Sequence, residues 1–222
     1  MLFPEITRDD VFILGSQRLW LRWPRASDAQ AFTQFAGNKA VSDMTASWPY
    51  PLPDDEVAKR IAQYRLFNLN GNAMVFVLTP WHQPERVIGM IGAHFKGAHV
   101  NDEGDAFTLG YMLHQDFWGK GLMSEAVGVV VDTAFRLTPA RAAEAGVRPI
   151  NPASSRILQK HGFEKTGRII MDVAARGTTE EVDQFRLDRL RWRQTQSGQW
   201  STSPKPSQPN RHTTPSQDCL AC

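Results

Sequence analysis

The chain has little cysteine: two residues in 222, Cys219 and Cys222, both at its very end. No disulfide framework can therefore staple its body, and folding must rest on a buried apolar core. No uninterrupted run of about 20 apolar residues occurs, which excludes a membrane-spanning helix. The formal net charge is +2, too small to argue for nucleic acid by bulk electrostatics. The six histidines are scattered without metal-ligand spacing and read as surface or core residues, so no metal site is expected. The segment MLFPEITRDD carries acids and a proline where a secretory leader would be basic and then apolar, so a cytoplasmic location is expected. At 41% apolar residues the chain can fill one core, and its length suits one domain with an appendage.

What is present is concentrated between Thr108 and Leu137, TLGYMLHQDFWGKGLMSEAVGVVVDTAFRL. Thr108 to Leu113 is β-branched, aromatic and apolar, as a strand should be. His114 to Gly121 breaks the pattern with Gly119 and Gly121. From Leu122, apolar residues recur at 122, 126, 127, 130, 131, 134 and 135, the spacing of a helix with one face against a sheet. Glycines before a helix let several N–H groups point outward, and free N–H groups and the positive dipole end coincide there. The stretch therefore predicts a site for a phosphate-bearing ligand. A Walker-type loop needs Lys followed by Ser or Thr, but Lys120 sits between glycines. A dinucleotide fingerprint needs a third glycine where Ser124 stands.

The run resembles the acetyl-CoA loop of the GNAT N-acetyltransferase superfamily, Arg/Gln-x-x-Gly-x-Gly/Ala, laid over Trp118-Gly119-Lys120-Gly121-Leu122-Met123. Trp at the first position and Met at the last are departures similar to the ribosomal-protein alanine acetyltransferase (RimJ/RimL-like) branch, as is Ser124-Glu125-Ala126 after the loop. A second block, Asn151-Pro-Ala-Ser154 leading to Gly162-Phe163, resembles the same branch. The resemblance spans residues 13 to 193 and implies an α/β (α+β) GNAT fold. Its central sheet is mixed, mostly antiparallel, with about six to seven strands and about four helices. It is splayed between the strand ending at Leu113 and the next parallel strand.

Along the chain, Arg18–Trp23 reads as a first strand. Ser27 and Gln30 read as a capping box opening a helix through Phe35. The proline-rich loop 47–53 carries Trp48 and Tyr50, either as a packed connector or as a wall of the acceptor side. Asp54 and Asp55 start a second helix. Ala73–Thr79 and Arg86–Phe95 read as paired strands, and a loop follows over Gly97–Asp105. The helix from Leu122 ends before Pro139, and Ala142–Val147 is a short strand. Asn151 with Pro152 begins a helix that stops at Lys160 and Gly162. Arg168–Val173 and Phe185–Trp192 read as the last strands. Residues 1–193 thus form the expected domain. In residues 194–222, 18 of 29 are Ser, Thr, Gln or Pro, which predicts a disordered tail. Cys219 and Cys222 in that tail formally match CxxC and CaaX patterns but read as an unstructured end.

The resemblance also implies roles. The backbone of Met112 and Leu113 would bond the pantetheine arm, and the N–H groups from Trp118 to Met123 would hold the pyrophosphate. Asn151 would bond the arm, and Lys120, Arg156 and Lys160 would neutralise phosphate. Ser154 is the candidate proton donor to the leaving thiolate, with Tyr111 as the alternative. Relatives carry Glu where this strand has Thr108, so the base is left open between Asp172, Glu144 and a water chain. An α-amine of pKa ~8 is roughly a tenth neutral at pH 7, and a Lys side chain near ~10.4 far less. A site without a strong base thus suits an α-amine. The expected function is acetyl-CoA-dependent transfer of acetyl to a primary amine, a protein N-terminus or a small molecule. The partners are acetyl-CoA and that acceptor, with no nucleic acid and no membrane, in a monomer or homodimer. The alternative is a catalytically silent acyl-CoA-binding module.

Overall fold

Every apolar position spaced along the helix after Gly121 is buried: Leu122, Ala126, Val127, Val130, Val131, Ala134 and Phe135. The stripe lies on a sheet, and the sheet sets the architecture. This computed structural model describes residues 12–95, 106–173 and 177–200. In chain order the strands and helices are β1 (Leu14–Gly15), β2 (Leu19–Arg22), α1 (Ala29–Ala36), α2 (Lys39–Asp43), α3 (Glu56–Leu69), β3 (Ala73–Pro80) and β4 (Gly89–Phe95). They continue as β5 (Ala106–Leu113), α4 (Leu122–Leu137), β6 (Ala142–Val147), α5 (Pro152–Lys160), β7 (Glu164–Val173), β8 (Thr178–Asp188) and α6 (Arg189–Trp200). One eight-stranded sheet runs β1-β2-β3-β4-β5-β6-β8-β7. All neighbours pair antiparallel except β5 and β6, which are parallel and joined through α4.

Alternate residues of the central strands serve opposite faces. Phe76, Leu78, Ile91, Phe107, Leu109 and Leu113 pack with α4 in one core. Val75, Val77, Met90 and Met112 pack in a second core with Phe32, Phe35, Val57, Ile61 and Tyr64 of α1 and α3. Two buried polar devices fix the second layer. Arg22 makes a bidentate pair with Asp28 at 2.9 and 2.8 Å, and Asp28 also accepts from the Arg25 amide at 2.7 Å. The Asn68 amide exchanges two bonds with the backbone of Val75, tying the end of α3 to β3.

The structure corrects several boundaries. Ser27 lies inside a 3-10 turn over Ala26–Asp28 and does not cap α1; the carboxylate of Asp28 holds that turn instead. Helix α2 was not expected from the sequence, and β7 and β8 extend beyond their expected ranges. The strand expected through Trp192 stops at Asp188. There the Arg189 guanidinium turns under the end of α4 and donates to Phe135 O, Thr138 O and Ala140 O. One turn on, Trp192 packs on Phe135 with ring centroids 5.0 Å apart. Those contacts need Arg189 and Trp192 on one side, which i, i+3 spacing in a helix provides. Helix α6 therefore runs past residue 193, the boundary expected from composition. The loop expected over Gly97–Asp105 and the tail cysteines Cys219 and Cys222 lie outside the described residues. Among the described residues, no helix is long and apolar enough to cross a membrane.

Candidate active site

Strands β5 and β6 pair only at Ala106↔Ala142, Phe107↔Ala143 and Thr108↔Glu144. Past Thr108 the two strands part. Each stays held on its outer edge, β5 by β4 as far as Leu113↔Gly89 and β6 by β8 as far as Val147↔Asp183. The result is a wedge between two strand edges whose backbone N–H and C=O groups still require partners. An extended ligand carrying amides can supply them, as an added strand does at any sheet edge. A cavity of about 840 Å³ passes through this wedge. Its lining joins the two sides of the sheet: Leu122, Met123, Ser124 and Ile157 from α4 and α5, and Val41, Trp48, Tyr64, Met90 and His94 from the other layer.

At the start of α4, Gly119 and Gly121 have φ of +72° and +76°. Side chains other than glycine rarely take this left-handed conformation. The helix has no side-chain cap, and its first backbone bond runs from Glu125 N to Gly121 O at 3.2 Å. Amides before Glu125 thus lack a partner within the helix and coincide with its positive dipole end. The loop is anchored from behind. Arg18 donates to Lys120 O at 2.8 Å and to Glu125 Oε1 at 2.6 Å, while Glu125 Oε2 accepts from Ser16 Oγ at 2.9 Å. Trp118 donates its indole N–H to Leu113 O at 2.7 Å, locking the loop to the end of β5. Gly119, Gly121, Leu122 and Met123 line the cavity beside Met112, Leu113 and Trp118. Lys120 does not; its ammonium folds back onto Asp116 O at 2.7 Å and over the Phe117 ring. Arg156 and Lys160, one turn apart on α5, line the cavity, as does Arg148.

Helix α5 begins as its sequence signals require. Asn151 is its N-cap, accepting from Ser154 N at 3.0 Å, with Pro152 in the first turn. Because Asn151 satisfies the Ser154 amide, the Ser154 hydroxyl is free for another task. It lies 2.8 Å from the Tyr111 hydroxyl, and both residues line the cavity. Tyr111 points to the α4 and α5 side and packs against that core. Burial pushes its phenol up to about 12, against a smaller lowering by the bond to Ser154.

Residues 18–164 match the model of the acetyltransferase (GNAT) domain. The chain belongs to the GNAT acetyltransferase family. It is 28% identical over 174 residues to an uncharacterised N-acetyltransferase, p20, of Bacillus licheniformis, covering 78% of this chain and 94% of that one. In three dimensions it is similar to a RimL ribosomal-protein acetyltransferase solved with coenzyme A, with TM-score 0.67, 22% identity, and 80% and 98% of the two chains covered. It is also similar to a ribosomal-protein alanine acetyltransferase from Vibrio fischeri, with TM-score 0.66, 20% identity, and 82% and 98% covered.

Within the GNAT frame, the expected base residues fare unequally. Glu144 is bound to Arg186 at 2.8 Å and does not line the cavity. Asp172 pairs by its backbone with Thr179 on the β7–β8 ribbon, and its side chain lies outside the described residues. Of the two aromatic residues in the 47–53 loop, Trp48 is buried and lines the cavity under the Arg60 guanidinium, 4.4 Å from the ring centre. Tyr50 is exposed and outside it. Arg148 and Asn151 cross to the end of α2, donating to Asp43 O and, at 3.4 Å, to Met44 O. Arg148 also pairs with Glu180 at 2.6 Å.

His94 was read from the sequence as an ordinary surface or core residue, yet it lines the cavity. Its ring lies 6.3 Å from Phe67 and 6.4 Å from Tyr64, between centroids, and burial lowers its pKa. The available signal was alternation: Met90, Gly92 and His94 share one face of β4. Among the described residues, no cluster of His, Cys, Asp and Glu could hold a metal.

Proposed function

We propose that the protein transfers the acetyl group of acetyl-CoA to an α-amine, at a protein N-terminus or on a small molecule. The observation that carries this reading is the wedge. An amide-bearing arm fits between β5 and β6, and the partnerless amides at the start of α4 suit a pyrophosphate. Arg156 and Lys160 add positive charge to the cavity wall. The arm's reactive end then lies in the sheet, between the Tyr111–Ser154 pair on one side and the acceptor layer on the other. Backbone N–H groups along the open edge of β5 can face the oxygen that gains charge as the amine attacks. Ser154, steadied by Tyr111, gives its proton to the departing sulfur. That relatives in the branch are named for ribosomal-protein acetylation favours a protein N-terminus as acceptor.

A second reading has one observation behind it. Among the described residues no carboxylate lines the cavity, and Thr108, at the last β5–β6 pair, carries only a hydroxyl. A silent acyl-CoA-binding module would look the same there. Free thiol released from acetyl-CoA against a panel of amines and N-terminal peptides separates the two. Amine-dependent release supports the transferase, whereas tight acetyl-CoA binding in calorimetry without release for any acceptor supports the silent module.

A further inference from the structure

We propose that His94 is the group that takes a proton from the acceptor ammonium. This rests on the acetyltransferase reading and supplies the part that Glu144 cannot fill. His94 pairs in the sheet with Thr108, and Thr108 is the last residue of β5 to pair with β6. The imidazole therefore stands at the apex of the wedge, on the acceptor face, and lines the same cavity as Ser154. The sheet is cleared to admit it. A Cβ on Gly92 would lie 2.9 Å from His94 Nε2, so any side chain there would press on the ring. Across from Gly92 in register is Gly110, where a Cβ would meet nothing within 4 Å. The glycine pair leaves an open approach beside Nε2.

The ring's surroundings suit a base. Its aromatic neighbours are Phe67 and Tyr64 of α3, and among the described residues no hydrogen-bond partner of its nitrogens is found. Tyr64 is the titratable group that faces it, and burial raises the Tyr64 pKa, so it stays protonated and neutral. Arg60 and Glu56 lie behind Tyr64, earlier on α3. The sheet neighbours, Ala73 of β3 and Thr108 of β5, carry no charge. Burial, with no neighbouring charge contributing, holds the imidazole below its ordinary value, so it is unprotonated at neutral pH.

His94 Nε2 takes one proton from the acceptor ammonium, and the neutral nitrogen then bonds to the thioester carbonyl carbon and loses its surplus proton to water. The carbon–sulfur bond breaks with its electron pair on sulfur, which takes a proton from Ser154. Ser154 is restored through Tyr111 from solvent, and His94 releases its proton to water. An ammonium acceptor thus yields amide, thiol and one proton.

The test compares kcat and kcat/KM across pH 6 to 9 for the full chain, His94→Gln and Gly92→Ala. It uses acetyl-CoA and an amine that the unaltered enzyme acetylates. His94→Gln should lower kcat at least tenfold at pH 7 with the KM for acetyl-CoA unchanged. The deficit should shrink toward pH 9, where an α-amine of pKa ~8 is already neutral. Gly92→Ala, which displaces the ring without removing it, should move kcat the same way and carries the test if His94→Gln fails to fold. Unaltered kcat and pH profile in a folded His94→Gln, or a deficit equal at every pH, overturns the assignment while leaving the transferase intact. Absence of thiol release from the unaltered enzyme with every amine overturns the transferase reading itself.

Discussion

Replacing Ser154 by Ala removes one hydroxyl whose surroundings allow its two possible roles to be told apart. In the first turn of a helix a serine often serves as a cap, and losing a cap costs about 1 kcal/mol. Here the cap is Asn151, which already satisfies the Ser154 amide at 3.0 Å. What the substitution removes is the 2.8 Å bond to Tyr111, a net contribution of about 0.5–1.5 kcal/mol. In a domain of this size that lowers Tm by no more than a few degrees. The kinetic effect should be larger. The Tyr111 phenol is pushed from 10.0 up to about 12, which at ~1.4 kcal/mol per pH unit disfavours its anion by about 3 kcal/mol. Tyr111 therefore keeps its proton, and with its hydroxyl 2.8 Å from Ser154 Oγ it can donate there and leave the serine's own proton for the sulfur. Losing that donor should lower kcat by about tenfold to a thousandfold, or roughly 1.4–4 kcal/mol of barrier. The KM for acetyl-CoA should hold, because the lost interaction belongs to the transition state. If the two hydroxyls act as a unit, adding Tyr111→Phe to Ser154→Ala should cost little beyond Ser154→Ala alone. The assay is thiol release under saturating amine, with Tm from circular dichroism. A variant with lowered Tm and undiminished kcat would refute the catalytic role and return Ser154 to structure.

Gly121→Glu puts a carboxylate at the α4 start and a side chain on a backbone with φ +76°. Acetyl-CoA affinity by calorimetry should fall at least tenfold, about 1.4 kcal/mol, in a protein that still gives a folded spectrum. His161, 3.0 Å from Ser124 Oγ, has its pKa lowered by burial, which outweighs the raising bond to Ser124; the Lys160 charge adds a smaller lowering. An unfolded chain therefore binds that proton first as pH falls. Stability from this site is full above the ordinary value of 6.5 and is lost progressively below it. Thermal scans from pH 8 to 5 should show Tm declining on the acid side, less steeply in His161→Gln; equal slopes would contradict the assignment. Trp192→Ala removes a ring that is 8% exposed and packed on Phe135. It should cost about 3 kcal/mol in urea unfolding, whereas a loss below about 0.5 kcal/mol, typical of surface sites, would mean that α6 is not docked.

What could be read from the sequence was whatever depends on local spacing. The α4 stripe, the two loop glycines and the Asn151-Pro152 start are each set by neighbours within a turn or two, and each appears where expected. The family pattern added the order of the strands. What could not be read depends on contacts distant in sequence. Helix α6 alternates polar and apolar like a strand, and it is helical because Arg189 and Trp192 both reach the end of α4, about fifty residues earlier. Glu144 looked like a base because it is a carboxylate on the strand next to the wedge. Its partner Arg186 is 42 residues away and is placed beside it by the β6–β8 register. His94 looked inert because nothing local marks it. Its position follows from three pairings, with Thr108, with the emptied Gly92 site and with the α3 rings.

The same long-range contacts join the two halves of the site. Asn151 caps the helix that carries Ser154 and also bonds Met44 O, at the end of α2. Arg148, a few residues earlier, holds Asp43 O on that same helix and Glu180 on β8. The segment between β6 and α5 is thus attached to α2 at two points while positioning the serine at the other side of the wedge. The Met44 bond, at 3.4 Å, is long and weak, whereas the bond to Ser154 N, at 3.0 Å, is of ordinary length. The weaker of the two Asn151 contacts is thus the one to the α2 side, and the firmer one holds the start of the helix that carries Ser154.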